Sequence, residues 1–359
     1  SVISARVAGG SLSDLPLSPT PDASQTRMSV VAGMLVTMES VTEPCLRENA
    51  GRRRPRQPRR RGPRWERIGN GVHVPAGLDG DARWRAGLAA WSAVLPGSAV
   101  FTGLSAMRLH ELWLPPLPDD LPIFVALHES SVRIRRPELR ISRHPQPPAA
   151  ISLDGLRVAP VAEAALACAR ELGVLDLVVL LDSALHLQKC TLADLETVAS
   201  SGRPGARRLS EALHLCDQRS ESAWESLLRI LHTACGVEVE PQMDIHDARG
   251  VFIGRADLLV TGTKTLQEYD GAQHRERGQY RRDRGRDAAL AKSGYVRHGW
   301  VAGQVRHDSW LILRAATDAL GRELTVDDIR PWWRLLEASL FSKSGKARMR
   351  TVWRLPDVS

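Results

Sequence analysis

The hydrophobic and polar positions divide the chain into four stretches. Residues 1–64 are rich in Ser, Pro, Gly and Arg and show no sustained periodicity, which predicts a disordered or degenerate N-terminal segment. Residues 65–216 mix short apolar runs with helical repeats, a pattern typical of a mixed α+β domain. Residues 217–310 predict a second folded domain, and residues 311–359 predict a helical extension and tail.

The stretch 217–310 has a readable order of elements. An apolar stripe at helical spacing in residues 222–235 predicts a helix, and three short apolar runs after it predict an antiparallel meander of strands. A polar helix reaching about Lys292 and a strand over residues 295–301 follow. The expected fold class is therefore α+β or α/β with several domains, whose C-terminal core runs helix, three-strand antiparallel meander, helix, strand.

Three carboxylates fall on the second and third of these strands. Gly262 and Thr263 suit a two-residue loop, with Gly first as a type II′ turn requires. That loop places Asp257 opposite Glu268, and Asp270 on the same face, because side chains alternate between the faces of a strand.

Facing carboxylates repel one another, and buried ones need a compensating charge. A hard divalent cation supplies that charge, since Mg²⁺ binds carboxylate oxygens and keeps several waters. The pattern predicts Mg²⁺, or Mn²⁺, on Asp257, Glu268 and Asp270. A solvated acidic face is the alternative, because a register shift of one residue would turn Asp257 away from Glu268.

Glu225 lies beside the apolar stripe of the helix that precedes the meander. It admits two interpretations without chemistry: a capping box with Ser222, and an ion pair with Arg229 one turn later. His274 follows the acidic hairpin directly.

Charge is segregated within this stretch. Residues 217–270 hold five basic and ten acidic side chains, whereas residues 271–306 hold nine basic and three acidic ones. An acidic patch followed by an arginine-rich helix suits a site that binds cations and phosphates together. A solvated arginine face is the alternative.

The polar helix carries its arginines on two faces. Arg277, Arg281 and Arg284 share one face, and Arg282 and Arg286 share another. Tyr280, Tyr295 and Trp300 can stack on nucleic-acid bases, although a place in the core also suits Tyr295 and Trp300.

Composition adds a second basic element. The formal net charge is +8, and eight arginines without any acid fall within residues 51–64. This run is either an arm that follows nucleic-acid phosphates or a solvated linker. Its internal prolines exclude a regular helix.

The compartment follows from cysteine use and hydropathy. Five scattered cysteines without a CxxC pair argue against a disulfide framework or a zinc site and favour a reducing cytosol. No apolar run is long enough to span a membrane, and the short apolar stretch of residues 28–38 lacks the features of a signal peptide. We therefore expect a cytoplasmic protein.

The first half of the chain resembles a known family. The order VPAG, RWRAGLAAW, FTGLSAMRLHELWLP, GLRVAP and TLADLETV within residues 65–216 is similar to the abortive-infection (AbiEi-type) antitoxin and regulator proteins of actinobacteria. The resemblance implies a DNA-binding winged helix before this region, between Met28 and Trp65, and a cognate toxin or other protein as partner.

The stretch 217–308 resembles a second family. The blocks ESAWESLLR, GRADLLV, LQEYDGAQHR and QYRRDRGRDAALAKSGY, in this order, are similar to very-short-patch-repair-like (Vsr-like) endonuclease domains of the PD-(D/E)xK restriction-endonuclease superfamily. The resemblance implies that Asp257 and Glu268 bind the metal and that Asp270 stands where the superfamily usually has its lysine. It also implies that His274 lies near the scissile phosphate and that Glu225 is the helix acid.

The sequence thus favours a metal-dependent endonuclease that hydrolyses DNA phosphodiester bonds. In that hypothesis His274 is the general acid or base, Glu225 orients His274 or a metal-bound water, and the arginine helix binds flanking phosphates through Arg277, Arg281, Arg282 and Arg284. Two alternatives stay open. One is a non-catalytic DNA-binding regulator or antitoxin of a type IV toxin–antitoxin system that keeps a relic nuclease fold, and the other is a protein-interaction module.

Overall fold

The computed structural model describes residues 65–271 and 277–356, with side chains for residues 65–271 and 285–356. The segment before Trp65, with the winged helix expected in it, and His274 lie outside the described residues. The described chain belongs to one compact unit of mixed α and β structure.

Eleven described strands form three sheets. The strands are β1 (Trp65–Gly69), β2 (Val72–Pro75), β3 (Val100–Phe101), β4 (Ile123–His128), β5 (Leu139–His144), β6 (Ile151–Leu153), β7 (Leu156–Val158), β8 (Val239–His246), β9 (Phe252–Val260), β10 (Thr265–Tyr269) and β11 (Val296–Trp300). They form a β1–β2 hairpin, a five-stranded sheet in the order β5-β4-β3-β7-β6 and a four-stranded sheet in the order β11-β10-β9-β8.

Twelve described helices accompany the sheets. They are α1 (Gly80–Val94), α2 (Gly103–Leu109), α3 (Val161–Ala169), α4 (Val174–His186), α5 (Leu192–Ala199), α6 (Ala206–Leu213), α7 (Ala223–Ala234), α8 (Arg277–Lys292), α9 (Ala302–His307), α10 (Ser309–Ala319), α11 (Val326–Glu337) and α12 (Lys343–Trp353). In the described part of the chain, no helix has both the length and the apolar character needed to cross a membrane.

The four-stranded sheet is built from the meander that the sequence predicted. β8, β9 and β10 pair antiparallel in succession, and β11 returns parallel to β10 after α8. Helix α7 packs against β8 and β10, and α8 packs against β9 and β11. The order helix, three antiparallel strands, helix, strand therefore matches the expected order.

The turn between β9 and β10 differs from the predicted one. Four residues, 261–264, separate the strands, and the N–H of Thr263 donates to the carbonyl oxygen of Val260 at 3.1 Å. Gly262 is the third residue of this turn and has a φ of 77°, a conformation that glycine adopts without steric cost. The two-residue type II′ loop with Gly262 first was wrong.

One apolar core runs through the described chain. It contains Leu88 and Trp91 of α1, most of α3 and α4, Leu227 and Leu231 of α7, and Trp353 of α12, as one contiguous cluster. A smaller cluster joins the four-stranded sheet and α8, and it contains Leu266 of β10 and Leu290 of α8.

Polar contacts also join distant parts of the chain. Arg229 of α7 pairs with Asp182 of α4 at 2.6 Å, and both side chains are buried. The backbone N–H of Leu340 donates to Asp176 of α4 at 2.9 Å. Buried polar contacts therefore connect residues 217–356 to helix α4, which lies within residues 65–216.

A candidate carboxylate and arginine site

Asp257 lies where the β9–β10 ladder ends. The pairs Leu266–Leu259 and Gln267–Leu258 have the predicted register, and the predicted pair of Asp257 with Glu268 would follow next, beyond the last paired residues of the ladder. The Asp257 carboxylate accepts a hydrogen bond from the backbone N–H of Tyr269 at 2.8 Å. Burial raises the pKa of Asp257 to about 7; the Tyr269 bond opposes this shift, and the charges of Glu225 and Glu268 add to it.

Glu268 is compensated by arginine. The side chain is 7% exposed, and it accepts hydrogen bonds from Arg286 of α8 and from Nε of Arg297 on β11. Nη2 of Arg297 also donates to Asp270 at 2.7 Å. Burial lowers the pKa of the Arg297 guanidinium, but the bond to Glu268 and the charges of Glu268, Asp270 and Asp287 together outweigh burial and leave that pKa raised. Charge-assisted contacts of this kind are among the stronger hydrogen bonds in proteins.

β11 makes room for this cluster. Gly299 pairs with Glu268, and a Cβ atom at Gly299 would lie 2.0 Å from Oδ2 of Asp270. A larger residue there would displace the Asp270 carboxylate, since the obstruction is direct. Arg297 and Gly299 alternate on one face of β11, the face that carries Glu268 and Asp270 on the neighbouring strand.

Glu225 enters the site from the start of α7. Its Oε2 atom accepts from the backbone N–H of Glu221 and from Nε2 of Gln242, both at 2.8 Å. Burial raises the pKa of Glu225, and the Glu221 bond opposes that shift. Ser222 caps the helix by accepting from the N–H of Glu225 at 3.2 Å. The predicted ion pair between Glu225 and Arg229 was wrong, because Arg229 is committed to Asp182.

The four carboxylates thus fall into two kinds. Glu268 and Asp270 contact guanidinium groups. Glu225 and Asp257 are held by uncharged donors, and none of the arginines whose side chains are described contacts either of them. Two partly buried carboxyl groups are left without a contacting cation among the described side chains.

Arg286, Arg297 and Gln242 were not assigned these roles from the sequence. Their partners lie 17 to 29 residues away, on other elements. Arg297 and Gly299 lie two positions apart on β11 and so share a face. This spacing could have indicated a contact between Arg297 and the carboxylates of β10, but only once β11 was known to lie beside β10. Gln242 gave no sequence signal, because its unusual feature is a backbone angle, a φ of 55°.

The remaining predicted residues are placed as follows. Arg277, Arg281, Arg282 and Arg284 lie in α8, and their side chains, like that of Tyr280, are outside the described ones. Trp300 is 6% exposed and bonds to Gln267 through its indole N–H, so it is not available to stack on a base. Tyr295 packs against the small cluster under α8. Both belong to the core, the second of the two roles that the sequence suggested.

The described part of the site offers few ligands for a divalent cation. Among the described residues no group of three or more His, Cys, Asp or Glu side chains is arranged to hold a metal ion. Asp257, Glu268 and Asp270 therefore do not form a three-ligand set there. Asp257 and Glu225 supply carboxylate oxygens, the kind of donor that Mg²⁺ takes, since Mg²⁺ usually binds one or two carboxylates and completes its shell with water and substrate phosphate.

Comparison with known proteins gives no further guide to the site. No family model, no curated protein and no solved structure matches this chain. The function must be argued from the fold and from the chemistry of these side chains.

Proposed function

We propose that this protein is a magnesium-dependent DNA endonuclease. The observation that carries the proposal is the pair Asp257 and Glu225, two partly buried carboxylates that no described arginine contacts, beside a third, Glu268, that arginines neutralise. The order and directions of α7, β8 to β11 and α8 support a restriction-endonuclease-like core and the resemblance to Vsr-like domains.

Asp257 and Glu225 would hold the cation together with phosphate oxygens of DNA. When bound, Mg²⁺ lowers the pKa of a water and stabilises charge on phosphoryl oxygens. Arg286 forms an ion pair with Glu268, and Arg297 forms one with Asp270. These ion pairs would hold the end of the β10 strand in place despite the closely spaced carboxylates. Arg297 also brings positive charge to Asp270, where the resemblance implies a lysine.

Two further roles remain proposals from the sequence. His274 would act as general acid or base, since the unperturbed pKa of histidine is near neutral. Arg277, Arg281, Arg282 and Arg284 of α8 would bind phosphates that flank the scissile bond. The substrate is DNA in the cytoplasm, and a cognate toxin or other protein would be a further partner.

A plasmid-nicking assay tests the proposal. The wild-type chain should nick supercoiled DNA in Mg²⁺ or Mn²⁺ and not in EDTA. Asp257→Ala should lower the rate by about 100-fold or more, on the order of 3 kcal/mol of transition-state stabilisation. Its affinity for DNA should be unchanged or higher, because a charge that repels phosphate is removed.

Asp244→Ala is the matched control. Asp244 is an exposed carboxylate on β8 of the same sheet, and it should be dispensable for nicking. An equal loss in both variants would contradict a specific role for Asp257.

A non-catalytic DNA-binding regulator or antitoxin is the second candidate. It is favoured by Arg286 and Arg297, whose guanidinium groups occupy both oxygens of Glu268, the second metal ligand that the resemblance implies. Equal, metal-independent DNA binding by wild type and Asp257→Ala, with no cleavage of supercoiled, linear or mismatched DNA, would favour this candidate.

A further inference from the structure

Gln242 has a backbone conformation that is unusual for its place. Of the five described non-glycine residues with positive φ, Gln242 alone lies inside a strand. The left-handed region is sterically unfavourable for residues with a Cβ atom, and it persists where surrounding structure imposes it, often at functional sites.

The strain is confined to one residue. The flanking pairs Pro241–Leu258 and Met243–Ala256 keep the same register, so β8 gains no extra residue at this point. That register places Gln242 opposite Asp257. Its side-chain amide donates to Oε2 of Glu225 at 2.8 Å. The unusual backbone angle therefore occurs where three elements of the site, β8, β9 and α7, come together.

The chemistry of the donor matters as much as its place. Arginine or lysine at this position would hold Glu225 by neutralising it, as Arg286 and Arg297 do for Glu268. A carboxamide N–H is uncharged, so it fixes the direction of the carboxylate and leaves its negative charge available. The second bond to Oε2, from the N–H of Glu221, is uncharged as well.

We propose that Gln242 is a positioning residue, which orients the Glu225 carboxylate toward Asp257 so that the pair can bind a divalent cation. This inference rests on the proposed function and deepens it. Outer partners of metal-binding carboxylates commonly contribute about 10- to 100-fold to metal affinity.

The test compares Gln242→Gly with Gln188→Gly in the full chain. Gln188 also has a left-handed backbone, with a φ of 52°, but lies in the turn after α4, outside the strands and helices that carry the site residues. Glycine relieves the backbone at both positions, so neither variant should have a lower Tm than wild type. Isothermal titration calorimetry with MnCl₂ should show that the affinity for Mn²⁺ is about 10- to 100-fold weaker in Gln242→Gly and unchanged in Gln188→Gly.

A third variant separates position from charge. Gln242→Lys keeps a long side chain that donates hydrogen bonds but brings a positive charge to Glu225, and it should weaken Mn²⁺ binding at least as much as Gln242→Gly. Nicking rates should follow the Mn²⁺ affinities.

Three results would overturn the inference. The first is Mn²⁺ binding by Gln242→Gly that equals that of wild type, and the second is the same result for Gln242→Lys. The third is a lower Tm in Gln242→Gly, which would show that the Gln242 side chain serves the fold. A wild-type chain that neither binds Mn²⁺ nor nicks DNA would instead remove the proposed function, and the positioning role with it.

Discussion

Asp257 is a carboxyl group whose surroundings favour its protonated form. Its pKa is raised from 3.8 to about 7, mainly by burial and further by Glu225 and Glu268. Between these two values the folded chain binds more protons at Asp257 than the unfolded chain does. Stability from this group is therefore lost as the pH rises from about 4 to about 7.

Asp257→Asn should reverse this loss. In the absence of divalent cations, the variant should be more stable than wild type at pH 8, by on the order of 2–4 kcal/mol, and about equal to it near pH 4. An amide oxygen can still accept the Tyr269 N–H, so the fold is kept. Urea unfolding at several pH values measures the difference, with Asp244→Asn as the exposed control. A variant less stable than wild type at pH 8 would contradict the raised pKa.

The β9–β10 hairpin shows what its sequence could predict. The assumed loop at Gly262 and Thr263 gave the correct register, with Leu259 opposite Leu266. The turn was misassigned because loops of two residues and of four residues give the same pairing, and only local hydrogen bonds distinguish them. Here the Thr263 side chain donates to the carbonyl oxygen of Val260 and accepts from the N–H of Thr265, which opens the wider turn.

Gly262→Ala tests that turn. A φ of 77° is unfavourable for alanine, so the substitution should cost about 1–2 kcal/mol of unfolding free energy. Gly285→Ala is the control, since Gly285 lies inside α8 with open space around it and no positive φ; alanine should there stabilise by about 0.5–1 kcal/mol. Thermal or urea unfolding of both variants measures these changes in unfolding free energy. Equal effects would mean that the turn does not constrain Gly262.

The arginine side of the site was less predictable. Charge segregation indicated a site that binds cations and phosphates together, whereas Arg286 of α8 binds a carboxylate of the site itself, Glu268. The sequence could not show that Arg297 joins it, because that contact needs β11 to lie parallel beside β10. Nor could it show that Asp182, 47 residues away, would take Arg229 from Glu225. Long-range pairing of this kind is set by the packing of whole elements.

At the scale of the molecule, the predicted boundary near residue 216 crosses a shared interior. Asp182 of α4 and Arg229 of α7 are 0% and 6% exposed, and Asp182 also accepts the backbone N–H of Asp217 at 2.8 Å. Trp353 of α12 donates to Glu171 at 2.8 Å, which brings the end of the described chain back to the residues between α3 and α4.

Asp182→Ala should destabilise the whole described unit. It leaves Arg229 buried without its partner, which typically costs about 3–5 kcal/mol. The double variant Asp182→Ala, Arg229→Met removes both charges and should recover a large part of that loss. Tryptophan fluorescence and far-ultraviolet circular dichroism should report one coincident transition in wild type and in both variants. Two separate transitions would contradict a shared core.

The hydrogen bond between Asp176 and Leu340 also affects when the chain can fold during synthesis. The two residues are 164 positions apart, and a ribosome that adds about 5–20 residues per second makes the second one about 10–30 s after the first. During that interval Asp176 has no Leu340 N–H to bind, and α4 cannot reach its final packing. The strands that carry Asp257 and Glu268 are synthesised within the same interval. In a growing chain, these catalytic candidates are therefore made before α9, α10 and α11, which pack against α7, are complete.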